Sequence, residues 1–530
     1  MLGGQTATKP SRISTMLKCD TPAFSEKDRL QIMKILSAEQ IRQWDAYTIH
    51  HEPISSVDLM ERAASECTRW IIEQKLTQQS IKIFCGKGNN GGDGLAIGRQ
   101  LAEQQIISEV YILESGAAAS DDFEANLSRL NAYPVQKHAI QQQDTFPLIQ
   151  PTDVVVDCLF GSGLNRPLEG LSAQIVEHIN KVNANIISID LPSGMFADKS
   201  SIPHPIIKAQ HTLTFQTLKL CFLLPENEDY VGEVHILNIG LHPGFLKTID
   251  ASYELSGLEL IRQLYRPRKK FSHKGTYGHT LVIAGEKGKM GAAVLCTKAC
   301  LRSGSGLVSC LVPHDEFFII QTTAPEAMAA SRNMFSLLDL SRYSSMAIGP
   351  GIGTGEESVN ALRDLLTNYT KPIVIDADGL NILSQNEDLL NVVPKNSILT
   401  PHPREFERLF GRTTDNFERL NIAKRYAAQL QVYIIVKGAY SLLVCPDGKV
   451  HFNNTGNPGM ATGGSGDVLT GILAGLLSQG YSSRDTCIIG MYLHGLAGDL
   501  AAQALSREAL IAGDLIDYLG KAFLQVSEQR

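Results

Sequence analysis

A glycine-rich turn at residues 457–467, Asn-Pro-Gly-Met-Ala-Thr-Gly-Gly-Ser-Gly-Asp, carries the residue types best suited to chemistry. The apolar residues after it recur at helical spacing, which predicts a helix that begins at the turn. Unpaired N–H groups and the positive end of the helix dipole then meet at one point, which suits a phosphate group. Asp467 enters the same helix, where its carboxylate can act as a base beside a transferred phosphoryl group. The alternative is an ordinary tight glycine turn.

Four further segments of the second half stand where predicted strands end, the edge at which open α/β sheets collect ligands. They are Lys437-Gly438-Ala439, Ile348 to Gly353, Asp376 to Asn381 and Thr400 to Glu405. Lys437 alone fits ligand contact and a solvated strand end equally well, and the Gly349–Gly353 glycines fit a substrate wall or a plain turn. Asp378 suits metal water shells or a helix cap. His402 stands between two prolines that restrict its ring, which favours binding.

Together these segments resemble the ADP/ATP-dependent NAD(P)H-hydrate dehydratases of the ribokinase-like superfamily, over about Tyr277 to Leu519. The motifs that carry the resemblance are Ala284-Gly285, Met290 to Ala293, Arg302 to Val308, Gly351, Thr400 to Pro403, Lys437-Gly438 and Asn457 to Asp467. Glu286 departs from the family, which usually has serine after the glycine. The details of that loop therefore stay open.

The resemblance implies a reaction and the residues that contact its reactants. Substrate would contact Ala292, Gly351, His402 and Asp467. Nucleotide would contact Lys437, Gly438, Ala439, Tyr440, Ser441, Asn457, Gly459, Met460, Ala461, Thr462, Gly463, Gly464, Ser465 and Gly466. Asp467 would take the proton of the substrate hydroxyl during phosphorylation, with Mg²⁺ on the phosphates of ADP or ATP, and phosphate would then leave. We expect ADP to be the preferred nucleotide.

The first half contains a second strand, glycine turn and helix start, at residues 86–94, Gly-Lys-Gly-Asn-Asn-Gly-Gly-Asp-Gly. It lacks GxGxxG spacing, so it is not the usual dinucleotide fingerprint. Asp157 and Asp190 stand at later strand ends, followed by Gly161 to Pro167 and by Leu191 to Gly194. Oxygen donors at three strand ends suit a hard cation, and their single formal charge favours K⁺ over calcium. The alternative is that each acid caps the following helix.

This half resembles the NAD(P)H-hydrate epimerase family over about Met33 to Gly244, through Leu59 to Ala64, Asn89 to Asp93, Asp157 with Gly161 to Pro167, and Asp190 to Gly194. The resemblance implies that K⁺ is held by Asn90, Asp157 and Ser193. It implies substrate contacts at Asn89, Asn90, Gly91, Gly92, Asp93, Gly161, Ser162, Gly163, Leu164, Asn165, Arg166, Pro167 and Asp190. Asp190 is the candidate acid or base of this half.

The elements that must position these residues are alternating short β-branched runs and helical patterns. Strands are predicted in the first half at Ile81 to Cys85, Val110 to Leu113, Asp153 to Asp157 and Asn185 to Asp190, and in the second half at Leu281 to Ile283, Leu307 to Val312, Ser345 to Ile348, Ile373 to Asp376, Ser397 to Thr400 and Val432 to Val436. This alternation predicts α/β architecture with parallel sheets in both halves. The predicted fold is a Rossmann-like three-layer sandwich followed by a ribokinase-like α/β domain. We expect a disordered extension at 1–32, an epimerase domain at 33–245, a linker at 246–275 that includes the basic patch 266–270, and a dehydratase domain at 276–530.

Composition restricts the partners and the location. The chain has 530 residues and a formal net charge of −7, which offers no basic face for nucleic acid, and no apolar run of about 18 residues for a membrane span. Ten cysteines without a regular framework predict reduced thiols. The first 32 residues carry acids and little arginine, unlike a mitochondrial transit peptide. We expect a cytoplasmic homo-oligomer.

The sequence thus predicts a bifunctional enzyme that epimerises R and S forms of hydrated NADH and NADPH (NADHX and NADPHX) and dehydrates the S form with ADP or ATP. The alternative is a ribokinase-like small-molecule kinase fused to a noncatalytic N-terminal binding module, because similar phosphate turns occur across that superfamily.

Overall fold

The computed structural model describes residues 34–116 and 118–527, so the predicted disordered extension lies outside the described residues. The chain divides into two compact units, with the boundary between Ala251 and Ser252. Within the described ranges, no helix is both long and apolar enough to cross a membrane.

The unit boundary lies inside the segment 246–275, which the sequence predicts to be a linker. Residues Tyr253–Ser256 form a strand that pairs in parallel with Val450–Asn453, and Leu258–Leu264 form a helix. Most of the predicted linker is therefore an integral part of the second unit. Sequence periodicity does not detect it because both elements are short.

The basic patch 266–270 also packs on the second unit. The guanidinium of Arg266 lies 3.9 Å from the ring centre of Tyr481, and that of Arg268 lies 4.0 Å from the ring centre of Tyr277. Cation–π contacts thus hold two of the four basic residues of this patch against aromatic rings of the second unit.

The first unit alternates strands and helices. Its strands are β1 Lys34–Ile35, β2 Ile81–Cys85, β3 Ser108–Leu113, β4 Gln136–Ile140, β5 Val154–Cys158, β6 Asn185–Ile189, β7 His211–Phe215 and β8 Glu233–Leu237. Its α-helices are α1 Ala38–His51, α2 Ser56–Glu73, α3 Asn89–Glu103, α4 Asp121–Leu130, α5 Gly170–Asn180 and α6 Glu228–Val231.

The sheet of the first unit has the order β4-β3-β2-β5-β6-β7-β8, and all its neighbouring strands are parallel. The strands β2 and β5 are buried throughout, with Ile83 and Val156 in one apolar layer and Phe84 and Val155 in the other. The strand order reverses between β2 and β5. The turns that follow these strands therefore stand where open α/β sheets bind ligands.

The second unit is larger. Its strands are β9 Tyr253–Ser256, β10 His279–Ile283, β11 Leu307–Val312, β12 Met328–Ser331, β13 Ser345–Ile348, β14 Ile373–Ile375, β15 Ile398–Leu399, β16 Tyr433–Val436, β17 Leu442–Val444 and β18 Val450–Asn453. Its α-helices are α7 Leu258–Leu264, α8 Met290–Arg302, α9 Phe317–Thr323, α10 Glu356–Asn368, α11 Asp378–Gln385, α12 Glu387–Leu390, α13 Pro403–Phe410, α14 Asn416–Leu430, α15 Ser465–Ser478, α16 Ser483–Leu505 and α17 Ala512–Ser527.

The strands of the second unit follow the order β9-β18-β17-β16-β15-β14-β13-β10-β11-β12. Pairing is parallel from β12 to β16 and antiparallel between β16, β17 and β18. The order reverses between β10 and β13, which brings the turns after these strands to one edge.

Helix α15, which follows the glycine-rich turn, is buried at every residue from Val468 to Ser478. Its glycines allow α8 to approach closely. A Cβ atom at Gly471 would lie 2.2 Å from the carbonyl oxygen of Cys296, and one at Gly475 would lie 2.1 Å from Ser303 Oγ. The start of α15 is therefore held in place by close helix packing behind it.

Candidate active sites

The glycine-rich turn of the second unit ends on the first turn of α15, as the sequence predicts. Gly464 precedes the helix with φ of +91°, a conformation that favours glycine. His494, from α16, fixes this turn, because its Nε2 lies 3.0 Å from the carbonyl oxygen of Ser465 and 3.3 Å from Ser465 Oγ. Burial lowers the pKa of His494 to about 4, so the ring is neutral.

The beginning of the same turn is held by Asp499, also from α16. Its Oδ2 accepts a hydrogen bond from Gly456 N and its Oδ1 accepts one from Asn457 Nδ2, both at 2.9 Å. Asn457 Oδ1 in turn accepts from Gly459 N at 3.0 Å. Sequence reasoning missed Asp499 and His494, which are far along the chain on a largely apolar helix and carry no local signal.

Asp467 lies half-buried in the first turn of α15. Burial and the neighbouring carboxylate of Asp376 raise its pKa to about 7, although Lys437 acts in the opposite direction. A carboxyl group with a pKa near neutral is a stronger base than an ordinary aspartate and still loses its proton at physiological pH.

Lys437 reaches the same turn from the end of β16. Its Nζ lies 2.8 Å from Asp376 Oδ1 and 3.9 Å from Glu405 Oε2, and a Cβ atom at Gly466 would lie 3.3 Å from it. Thr470 Oγ1 donates to the other oxygen of Asp376 at 2.7 Å. Burial works against the charge of Lys437, but Asp376 and Glu405 outweigh it and raise its pKa. The ammonium group is therefore a permanent positive charge beside the amides of α15.

The rest of the predicted nucleotide loop, residues 438–441, forms a turn in which Ser441 Oγ donates to the carbonyl oxygen of Gly438 at 3.1 Å. Ala439 is exposed, and Tyr440 is half-buried. The loop follows the same strand as Lys437, so it lies at the same sheet edge.

The predicted substrate residues Gly351 and Ala292 lie together. Gly351 has φ of +62°, and a Cβ atom there would lie 3.0 Å from Ala292 Cβ. The turn after β13 is tied to the next strand end, because Gly353 N donates to Asp378 Oδ2 at 2.9 Å. Asp378 thus joins two loops, whereas Ala377 occupies the cap position of α11.

Glu286, the residue that departs from the dehydratase pattern, lies over this turn. A Cβ atom at Gly353 would lie 2.3 Å from Glu286 Oε2, and Glu286 Oε1 pairs with Lys289 Nζ at 2.7 Å. The acid is therefore part of the wall formed by the turns after β10 and β13.

His402 is the N-cap of α13. Its Nδ1 accepts hydrogen bonds from Arg404 N at 3.1 Å and Glu405 N at 3.3 Å, and its Nε2 lies 3.3 Å from Glu405 Oε1. The ring is therefore orientated by its own helix, a structural contribution that the sequence analysis did not anticipate. Glu405 lies between His402 and Lys437, because its other oxygen, Oε2, is 3.9 Å from Lys437 Nζ.

In the first unit, Asp157 is completely buried at the end of β5 and accepts four hydrogen bonds. Ser193 Oγ and Leu159 N donate to Oδ1 at 2.5 and 3.3 Å, and Ser188 Oγ and Ser193 N donate to Oδ2 at 2.8 and 2.9 Å. Burial raises the pKa of Asp157, although these donors oppose the shift. Asp157 and Ser193 thus lie together, and they connect the turns after β5 and β6.

Asn90, in the first turn of α3, provides the observation that bears on a cation. It is buried, and neither atom of its amide group has a hydrogen-bond partner within the described ranges. A Cβ atom at Gly161 would lie 3.2 Å from Asn90 Cγ and also 3.2 Å from Asp190 Oδ2. An unpaired buried amide oxygen beside the carboxylate of Asp190 fits a hard cation such as K⁺.

Asp190 follows β6 with φ of +66° and forms an ion pair with Lys219. Lys219 Nζ is completely buried and lies 2.6 Å from Asp190 Oδ1, and Ser162 N donates to Asp190 Oδ2 at 3.0 Å. Burial acts to raise the pKa of Asp190, but Lys219 outweighs it and the pKa is lowered. Asp190 is therefore ionised. Sequence reasoning missed Lys219.

Two further carboxyl groups face Asp190. Burial and the charge of Asp190 raise the pKa of Asp93, in α3, well above its ordinary value. The same two causes raise the pKa of Asp45, in α1, to about 7. Asp45 precedes every motif recognised in the sequence, so nothing local indicates it. The cluster thus holds an ionised acid, Asp190, an acid that retains its proton, Asp93, and an acid that is partly protonated near neutral pH, Asp45.

The remaining predicted epimerase residues differ in position. Gly91 and Gly92 are buried and permit close packing, because Cβ atoms there would lie 1.6 Å from Gly86 O and 2.8 Å from Met60 Sδ. Asn89 and Gly163 are exposed, as are Asn165 and Arg166, and Leu164 and Pro167 are partly exposed. The carbonyl oxygen of Asn165 accepts from Lys199 Nζ at 2.9 Å.

Comparison with known proteins tests the two resemblances. The family NAD(P)H-hydrate dehydratase matches residues 280–521, and the family YjeF-related protein N-terminus matches residues 56–221. A bifunctional NAD(P)H-hydrate repair enzyme of Moorella thermoacetica is 35% identical, and the match covers 94% of this chain and 98% of the relative. The chain belongs to this family of bifunctional NAD(P)H-hydrate repair enzymes.

The chain is also similar to a second repair enzyme and to a solved structure. The repair enzyme of Escherichia coli is 35% identical over 82% of this chain and 84% of its own length. A solved structure, the ADP/ATP-dependent NAD(P)H-hydrate dehydratase of Bacillus subtilis co-crystallised with ATP and Mg²⁺, is 31% identical and covers 51% of this chain and 98% of its own, with a TM-score of 0.46. Family membership and the parallel sheets confirm the predicted fold class, ribokinase-like in the second unit.

Proposed function

We propose how the residues of this chain carry out the two reactions of its family. The chain combines an NAD(P)H-hydrate epimerase in its first unit with an ADP/ATP-dependent NAD(P)H-hydrate dehydratase in its second. The observation that supports the residue assignment best is Asp467, whose pKa is raised to about 7 beside the amides that begin α15.

In the dehydratase unit, Asp467 removes the proton of the ring hydroxyl of S-NAD(P)HX. The hydroxyl oxygen then forms a bond to the terminal phosphorus of the nucleotide, while the bond from that phosphorus to the remaining nucleotide breaks. The N–H groups of residues 463–466 and the ammonium of Lys437 stabilise the charge on the phosphoryl oxygens. Mg²⁺ bound to the nucleotide phosphates would supply further positive charge.

Elimination follows because phosphate is a far better leaving group than hydroxide. The ring nitrogen's lone pair forms a C=N bond as the C–O bond to phosphate breaks. Loss of a proton from the adjacent ring carbon then restores the dihydropyridine. Gly351 and Ala292 form the close wall against which we place the ring, and we assign His402 to the edge of the same site.

One assay tests this assignment. Purified enzyme is mixed with S-NADHX, Mg²⁺ and either ADP or ATP, and the return of dihydropyridine absorbance is followed together with phosphate release. We expect one phosphate per NADH, with ADP preferred. A stable phosphorylated alcohol without NADH would instead support the small-molecule kinase alternative.

In the epimerase unit, inversion at the hydroxyl-bearing carbon requires its C–O bond to break and to form again on the other face. Asp93, which retains its proton, or the protonated form of Asp45 protonates the departing hydroxyl as the ring nitrogen forms a C=N bond. The ionised Asp190 stabilises the resulting cation. Water then returns to the opposite face and gives its proton back.

The cation assignment rests on Asn90, whose buried amide lacks a partner among the described residues. We propose that Asn90, Asp157 and Ser193 hold K⁺, which would supply positive charge near the dinucleotide phosphates. Epimer exchange measured in K⁺ and in tetramethylammonium buffers tests this. Epimer exchange should require K⁺ in the wild type. The variant Asn90→Ala should lose epimer exchange in both buffers, whereas it continues to dehydrate the S form.

We also propose a cytoplasmic location, since the nine cysteines of the described ranges are all buried and free, as expected in a reducing compartment. The homo-oligomer and the functional boundaries at 33–245 and 276–530 stay predictions. Light scattering of the purified chain, and separate expression of the two units, test them.

A further inference from the structure

A cluster of three metal-ligating side chains lies outside both candidate active sites, at the amino ends of β7 and β8. His211 is the first residue of β7 and pairs in register with Glu233, the first residue of β8, and His235 follows two residues later. Side chains alternate along a strand, so these three share one face of the sheet. Asp157 and Asp190 lie at the opposite, carboxyl ends of the strands.

The ligand atoms of the cluster are close together. His211 Nδ1 lies 3.1 Å from His235 Nε2 and 3.8 Å from Glu233 Oε2, and the three atoms all lie within 4.8 Å of one another. In a tetrahedral zinc site with bonds of about 2.0–2.1 Å, neighbouring ligand atoms are separated by about 3.3 Å. The His211–His235 separation of 3.1 Å and the His211–Glu233 separation of 3.8 Å each differ from this value by about half an ångström or less.

We propose that His211, Glu233 and His235 form a binding site for a divalent transition-metal ion, with Zn²⁺ as the ion that the donor set suits best. Two imidazoles and one carboxylate leave a fourth position for water, as in open zinc sites. The alternative is that the cluster is only a hydrogen-bonded pair of histidines beside a carboxylate. When a metal ion binds, it replaces the proton that the two imidazoles share.

The surroundings hold the two rings in place. The ring of Trp70 lies 5.1 Å from that of His211 and 4.8 Å from that of His235, and the two strands that carry the three ligands, β7 and β8, are hydrogen-bonded neighbours. The three ligand residues are partly exposed, so an ion can enter from solvent.

The test uses full-length protein purified without a polyhistidine tag and stripped with a chelator. Zn²⁺ binding is measured by calorimetry, and Co²⁺ is added to record the visible absorption of a tetrahedral site. We expect one ion per chain in the wild type. His235→Gln and His211→Gln should each weaken binding by more than about tenfold, because even hydrogen-bond partners of metal ligands contribute about 10–100-fold.

His138→Gln is the matched control, since His138 also lies on a strand near a carboxylate, 4.0 Å from Glu109 Oε2, but is not part of the cluster. It should bind Zn²⁺ like the wild type. All variants should retain epimer exchange, which confirms that they fold. Equal Zn²⁺ affinity in the wild type and in the His211→Gln/His235→Gln double variant, or no binding by the folded wild type, would overturn the proposal.

Discussion

The two units place the same local structure, a strand, a glycine-rich turn and a helix, beside acids of opposite character. In the first unit the buried ammonium of Lys219 lies 2.6 Å from Asp190 and lowers its pKa against the effect of burial. In the second unit, Lys437 pairs with Asp376 at 2.8 Å, and burial and the charge of Asp376 raise the pKa of Asp467 to about 7. Lys219 pairs directly with Asp190 and keeps it ionised, whereas Lys437 pairs with Asp376 and leaves Asp467 with the higher pKa of a base.

The difference matches the chemistry. A cation formed during epimerisation is stabilised by an acid that stays ionised, whereas removal of a hydroxyl proton needs an acid whose pKa is close to the working pH. In the proposed mechanisms, one type of glycine turn thus serves two reactions, because side chains from distant elements set the charge beside it.

The largest effect is expected for Asp467→Asn. The amide cannot accept the hydroxyl proton, so dehydration should slow by about 10²–10⁴-fold while epimer exchange is unchanged. Absorbance at the dihydropyridine band, with pure S-NADHX, measures the loss. Asp517→Asn, at an exposed position of α17, is the control and should behave like the wild type. Wild-type dehydration by Asp467→Asn would refute the assignment of this base.

Lys219→Met tests the opposite side of the comparison. It leaves Asp190 buried without its cation, which should destabilise the first unit by about 3–5 kcal/mol and stop epimer exchange. Denaturant unfolding is followed by tryptophan fluorescence, because both tryptophans, Trp44 and Trp70, belong to this unit.

The double variant Asp190→Asn/Lys219→Met separates stability from catalysis. Removal of both charges should recover much of the lost stability without recovering epimer exchange. Exchange in the stable double variant at the wild-type rate would show that neither charge contributes to the reaction.

The helices that follow the two turns differ in how closely they pack, which a pair of alanine substitutions should reveal. A Cβ atom at Gly471 meets the backbone of α8 at 2.2 Å, whereas one at Gly98 in α3 meets the side-chain ends of Val110 at 3.2 Å and Ile83 at 3.4 Å. Gly471→Ala should therefore destabilise the second unit by about 1–3 kcal/mol, and Gly98→Ala should change stability by less than about 1 kcal/mol. Scanning calorimetry compares them, and equal shifts would contradict this reasoning.

The smallest expected effect is a displacement of the pH profile. Dehydration should increase with pH through about 7, because Asp467 must lose its proton to act as the base. Asp376→Asn removes a negative charge that raises this pKa and releases Lys437 toward Asp467. The acid limb of kcat/KM should then move to lower pH. An unchanged limb would show that another group controls it.

Local patterns predicted the buried strands well, because their apolar runs are continuous. Ile81–Cys85 and Asn185–Ile189 lie where the sequence places strands. The polar strand Gln136–Ile140 was not predicted, since four of its five residues are exposed and it lies at the edge of the sheet. His211–Phe215 and Glu233–Leu237 were also missed, because histidines and other polar residues interrupt their apolar pattern.

The sequence by itself determined the two glycine turns, the helices that follow them and the acids at the strand ends, because these depend on neighbouring residues. Only the tertiary structure decided the ionisation of those acids. Lys219 is 29 residues from Asp190 and Lys437 is 61 residues from Asp376, and parallel sheets bring such distant strand ends together. Burial and the choice of ion-pair partner depend on that assembly, and no local pattern contains them.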